Sequence, residues 1–128
     1  MTNKEKAIPL KSYLYYGIPV ALGVDPSAFP LYEPQVALWQ ALNRTTKGGY
    51  RLDAAESISI QEALRMQTMG SAYAGFQEKE FGSLEPGKFA DLVVWNRDYY
   101  RIPPNETKDV KAMLTLMGEK IVHENKGI

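Results

Sequence analysis

The chain has 128 residues, with fifteen basic and fifteen acidic side chains, one histidine and no cysteine. One domain of this length buries roughly two-thirds of its unfolded surface. Balanced charge leaves no electrostatic footprint for nucleic acid or an anionic membrane. The lack of cysteine excludes disulfides and thiol chemistry and fits a cytoplasmic protein. No stretch has the apolar length needed to cross a bilayer. The polar start, residues 1–6, lacks the core of a secretory signal.

Residues 1–6 read as a frayed end. Residues 11–16 carry Tyr13, Leu14 and Tyr16 and fit a helix end closed by Gly17. Residues 18–24, Ile-Pro-Val-Ala-Leu-Gly-Val, form a short apolar run without alternation. That pattern predicts a strand buried on both faces, as in a parallel sheet, and Pro19 is tolerable near its start. Asp25 then stands at the C-terminal end of such a strand, where ligands and catalytic groups gather in α/β folds.

Pro34 opens a helix to about Asn43, because the first turn needs no donor from it. Lys47-Gly48-Gly49 is a loop. Ser59-Ile60-Gln61-Glu62 is a capping box, and its helix runs to about Ala74. Ile60, Ala63, Leu64, Ala72, Tyr73 and Phe76 are its candidate packed side. Gly70, Ser71, Ala72 and Ala74 keep its second half small enough for another element to approach closely. Pro86-Gly87 fits a turn with positive φ at the glycine. Leu92 to Trp95 follows as an apolar strand. Asn96 to Pro104 is an irregular link. Two further apolar runs, residues 110–117 and 120–124, flank Gly118-Glu119, which suggests a type II′ hairpin. The order is strand, helix, helix, strand, hairpin. Neither half is self-sufficient, since a single parallel strand cannot make a sheet.

The string Phe81-Gly82-Ser83-Leu84-Glu85-Pro86-Gly87-Lys88-Phe89-Ala90-Asp91-Leu92-Val93-Val94 resembles G-S-[IL]-x-P-G-K-x-A-D-[LF]-V-V, found late in metal-dependent amidohydrolases. Other segments follow the same family in order. Tyr16 to Asp25 resembles A-G-V-x-V-A-L-G-S-D, with Val24 where serine is usual. Pro34, Leu38, Ala41 and Arg44 match P-x-x-x-L-x-x-A-x-x-R. Ile58 to Leu64, then Thr68, Ser71, Ala72 and Ala74, match the next helix. Asp98 with Ile102-Pro103-Pro104, and Lys111, Thr115, Gly118 and Lys120 to Glu124, match the end. The nearest subgroup is amidohydrolase family 3.

The resemblance implies an α/β fragment. It would be the last βα unit of a (β/α)8 barrel, residues 1–80, followed by strands of a small β-sandwich or composite domain, residues 81–128. It also implies metal-assisted hydrolysis of an amide or cyclic amide, with a divalent metal such as zinc. The family's ligands are a His-X-His pair, a carboxylated lysine or acid, two more histidines and an aspartate after the eighth strand. That aspartate binds metal and takes a proton from the attacking water. Asp25 alone maps onto this set, as catalytic and metal residue. With one histidine, the chain lacks the rest, and the expectation is that it binds no metal by itself. Its expected partner is a second copy, through oligomerisation, or a missing N-terminal barrel portion, including a separate subunit of a split hydrolase. A non-catalytic oligomeric protein is the alternative.

From spacing alone Asp25 is a turn residue beside Pro26; the family match favours the inherited catalytic position. One carboxylate does not make a metal site, which takes about three or more protein ligands. His123 reads as an edge-strand surface residue. Glu33, Asp53, Glu56 and Asp98 lie in loops without a histidine partner and read as solvated. Trp39, Trp95 and the eight tyrosines are scattered, which favours packing over a stacking platform. Gly82, Pro86 and Gly87 carry no phosphate-loop string and read as backbone geometry.

Overall fold

The computed structural model describes residues 7–24, 32–46 and 48–127. Helix α1, Leu10–Tyr15, closes on Gly17 at φ 68°. The Gly17 and Ile18 amides donate to the Leu14 and Tyr13 carbonyls, the paired bonds of a Schellman motif. Helix α2 covers Pro34–Asn43, with proline in its first turn as the sequence requires. Arg44 ends it in the left-handed region at φ 54°, a place glycine or asparagine usually takes. A short 3₁₀ turn, Ala54–Glu56, precedes α3, Ile60–Arg65. The Ser59–Glu62 capping box is formed in both directions. The same helical rod continues through a π turn, Met66–Gly70, into α4, Ser71–Ala74.

The predicted turn at Pro86-Gly87 is present. Gly87 has φ 93°, and the Lys88 amide donates to the Glu85 carbonyl at 3.1 Å. Strand β1, Leu92–Trp95, pairs antiparallel with β2, Ala112–Met117, which pairs antiparallel with β3, Lys120–Glu124. A 3₁₀ turn, Pro104–Asp109, begins at the last residue of the link that the sequence leaves irregular; Pro103-Pro104 starts it. The fold is therefore a small α/β arrangement with a three-stranded antiparallel sheet in the order β1-β2-β3.

The core joins both halves. Leu10, Leu38, Ala41, Ile58, Ala63 and Met66 meet Tyr99 and Val110. The α2 helix lies on the 104–109 turn. There the Gln35 side chain donates to the Val110 carbonyl at 2.9 Å, and that of Asn43 donates to the Pro104 carbonyl at 2.9 Å. Trp95 meets Tyr99 edge-to-face, with centroids 5.5 Å apart.

Three expectations need correction. Residues 18–24 form no ladder with any described strand, and their burial alternates. Val20, Leu22 and Val24 are half-buried, while Ala21 and Gly23 are exposed. With no second layer over it among the described residues, the run is one-sided here. Tyr73 and Phe76 do not join the packed face: both are exposed, Phe76 at φ 57° just past the helix end. The Gly118-Glu119 turn is not type II′. Both residues have positive φ, 56° and 65°, which defines type I′ and suits the right-handed twist of the paired strands.

Candidate functional site

Asp25, the candidate base and metal residue, lies outside the described residues. The chain that leads to it does not. Val20 and Leu22 turn inward onto the core, and the Leu22 amide donates to the Met66 carbonyl at 3.3 Å. Met66 begins the π turn, and its carbonyl also takes the Ser71 hydroxyl at 3.4 Å. A cavity of about 460 Å³ lies along residues 20–23 and is lined by Tyr13, Gln40, Arg44 and Leu52 among others. A larger concavity of about 580 Å³ lies elsewhere, beside Trp39, Gln35 and Lys108. Its lining includes none of residues 18–24, the run that leads to Asp25. The smaller one is the better place to look.

Arg44 borders that cavity and is 3% exposed. Its guanidinium donates to three main-chain carbonyls: Ala7 at 2.5 Å, Ile8 at 3.0 Å and Asp53 at 3.3 Å. Its own carbonyl takes the Leu52 amide at 2.7 Å. This one side chain ties the entry to α1 and the 52–53 loop to the end of α2. The helix motif contained Arg44, but spacing could not reveal what an arginine there would hold. The signal was present as a single charged residue three places after a buried alanine. Close by, Glu56 accepts from the Ser12 amide at 2.9 Å and from its hydroxyl at 2.5 Å. The Ser12 hydroxyl, then its amide, hold the Glu56 carboxyl below its ordinary value. Glu56 is thus not the idle surface acid its loop position suggests; it anchors α1.

The remaining candidates have local duties. The Asp53 carboxylate accepts from the Ala55 amide at 3.0 Å. Asp98 accepts from the Tyr100 amide at 2.9 Å and pairs with Arg101 at 3.3 Å. Glu33 is exposed and makes no side-chain cap to α2. His123 lies on β3, which is exposed along its length; its Nε2 is 3.4 Å from the Ala112 carbonyl. Trp39 lies under the Lys108 ammonium at 5.2 Å. Among the described residues no three histidine, aspartate or glutamate side chains come together. They do not fit a metal centre.

The glycine–proline string is built from backbone duties. Lys88 donates to the Ser83 hydroxyl at 2.7 Å and pairs with Glu85 at 3.1 Å, while Ser83 donates to Glu85. Asp91 accepts from the Gly118 amide at 2.7 Å and so holds the β2–β3 turn. Gly82, at φ 92°, lies against the helix end, where a Cβ would stand 2.9 Å from that of Ala72. None of these groups is free for chemistry. No helix among the described residues is long and apolar enough to cross a membrane.

Comparison with known proteins agrees with this architecture. A family model described as the amidohydrolase family matches residues 3–123. N-substituted formamide deformylase of Arthrobacter pascens is 33% identical over 122 residues, 95% of this chain and 22% of that protein. Imidazolonepropionase of Treponema denticola is 32% identical over 126 residues, covering 91% of this chain and 28% of its own length. A 5-methylthioadenosine/S-adenosylhomocysteine deaminase of Moorella thermoacetica is 35% identical over 107 residues, 83% of this chain and 24% of that one. The solved structure of an amidohydrolase from Thermotoga maritima shares the fold with a TM-score of 0.67 at 22% identity, over 91% of this chain and 26% of that one. The chain thus spans about a quarter of the length of these relatives. It belongs to the amidohydrolase family.

Proposed function

We propose that this chain is the C-terminal portion of a metal-dependent amidohydrolase that hydrolyses C–N bonds of amides or cyclic amides, and that it is inactive by itself. Residues 1–80 are then the last βα part of a (β/α)8 barrel, and residues 81–128 are strands of its β-sandwich. Asp25 is the carboxylate that takes the proton from the attacking water. The other metal ligands come from chain outside these 128 residues. The observation that carries this reading is coverage. Nearly the whole chain aligns to 22% of an N-substituted formamide deformylase, a name that states C–N chemistry, and to 28% of an imidazolonepropionase. The unpaired, one-sided run at residues 18–24 supports it, since a barrel strand needs neighbours on both edges.

The test is to read the frame upstream of the Met1 codon. The expected result is continuous coding through a His-X-His segment and two later histidines. In that longer protein, Asp25→Asn should lower kcat on amide substrates about 10²–10⁴-fold, the usual share of a general base. Zinc bound stoichiometrically by the isolated 128-residue chain, with turnover that depends on Asp25, would overturn the reading.

A second reading rests on β3. Ile121 and Val122 are more than half exposed, and the outer edge of β3 pairs with no described strand. This favours a second copy as partner when the barrel portion is not there. Light scattering should then give a discrete dimer or higher oligomer; a well-folded monomer that melts cooperatively counts against it.

A further inference from the structure

The helix that follows Ser59 changes pitch once, at Met66–Gly70. A π turn fits an extra residue into an α-helix and is frequent at functional sites. Here it meets the 18–24 run at two points. At its start the Met66 carbonyl accepts the Leu22 amide at 3.3 Å. At its end Gly70 receives the main chain of Val20. A Cβ at position 70 would stand 2.1 Å from the Val20 carbonyl oxygen and 3.2 Å from its carbon. Both contacts are to main-chain atoms two residues apart, on one side of the run. Val20 and Leu22 are also its inward-facing residues. The bond fixes the height of the run along the helix, and the missing side chain fixes its distance from the helix.

We infer that the π turn and Gly70 form a positioning device, which sets where the chain leaves residue 24 toward Asp25. The role assigned to Asp25 rests on the function proposed above; the clamp on residues 20–22 does not. Gly70 is a positioning residue and touches no substrate. Its φ of −61° is ordinary helix, so glycine is not required there by backbone conformation. Alanine is the better helix former at such a place. What forbids it is the Val20 oxygen, which no rotamer change can move.

The test begins without a variant. In the isotope-labelled 128-residue chain, a through-hydrogen-bond scalar coupling between the Leu22 nitrogen and the Met66 carbonyl carbon is expected. Its absence, with the helix otherwise formed, overturns the clamp. Gly70→Ala should then raise the Leu22 amide exchange rate at least about 10-fold, while the β2–β3 amides keep theirs. Gly75→Ala is the control. A Cβ there meets only ordinary contacts, the nearest at 3.5 Å, and Leu22 exchange should not change. Unchanged Leu22 exchange in a folded Gly70→Ala chain overturns the proposal. In the longer protein, Gly70→Ala should lower kcat about 10-fold or more with KM within about 2-fold, as expected for misplacement of a reacting group. If Asp25→Asn leaves kcat unchanged while the coupling is present, the functional reading falls and the clamp stands.

Discussion

Replacing Arg44 tests whether one buried arginine holds three segments together. The Arg44→Ala variant removes the guanidinium and leaves the carbonyls of Ala7, Ile8 and Asp53 without that donor. Hydrogen bonds to a charged group contribute about 1.5–3 kcal/mol each, but folding also costs several kcal/mol to desolvate the cation. The net loss should be about 3 kcal/mol. Arg44→Gly removes the same bonds and relieves the left-handed backbone at φ 54°, which costs an L-residue about 1–2 kcal/mol. Glycine should therefore be less harmful than alanine by about 1 kcal/mol, although it is the poorer helix former. Urea unfolding followed by far-ultraviolet circular dichroism measures both variants. An alanine variant within 1 kcal/mol of wild type, or a glycine variant below alanine, would refute the reasoning.

Tyr99 is 5% exposed, and its hydroxyl has no hydrogen-bond partner among the described residues. Tyr99→Phe should leave stability unchanged or raise it by up to about 1 kcal/mol, because a buried hydroxyl without a partner costs free energy. Burial also pushes the Tyr99 phenol up to about 12, so it should ionise last in an ultraviolet pH titration; ionisation near 10 contradicts that burial. Glu56 is held below its ordinary 4.5 by Ser12. Its contribution to stability is then fully present above pH 4.5 and fades as pH falls through the lowered value. Ser12→Ala should raise the Glu56 titration midpoint in carbon-detected NMR. It should destabilise the chain at pH 7 and progressively less as the pH falls through the Glu56 midpoint; an effect independent of pH removes Glu56 from the argument.

Local chemistry made much of the fold legible. Pro34, the Ser59–Glu62 box, Gly17 and Pro86-Gly87 each act within one turn of chain, and each stands where its residue type puts it. Sequence failed where distant segments decide. The glycine of Gly118-Glu119 by itself points to type II′, but twist and the Asp91 carboxylate select a turn with Glu119 also at positive φ. Tyr73 and Phe76 have helical spacing, yet Tyr73 lies on the outer face of α4 and Phe76 falls past its end. The unbroken apolar run at 18–24 indicates two covered faces, and the described chain supplies one. Of the candidate site, only the approach was legible: the small residues around Gly70 announced a close contact without naming Val20. The grip of Arg44 on three carbonyls had no local signature, because its partners lie 9 to 37 positions away.

Gly82 carries two constraints at once. Its φ of 92° excludes other side chains by backbone conformation, and the Ala72 and Met69 atoms beside it exclude them by space. Shrinking Ala72 to glycine would remove the nearest atom, yet the Met69 Cα would still stand 3.1 Å from a Cβ at position 82 and the torsion would still forbid one. No second substitution can therefore compensate for losing Gly82. Across homologous chains such a position should stay glycine without covarying with its neighbours. A contact inferred from correlated change would miss the place where the helical rod touches the turn before β1. The letters of that turn thus record how the main chain is routed, which makes them a durable mark of ancestry and a silent one about substrate.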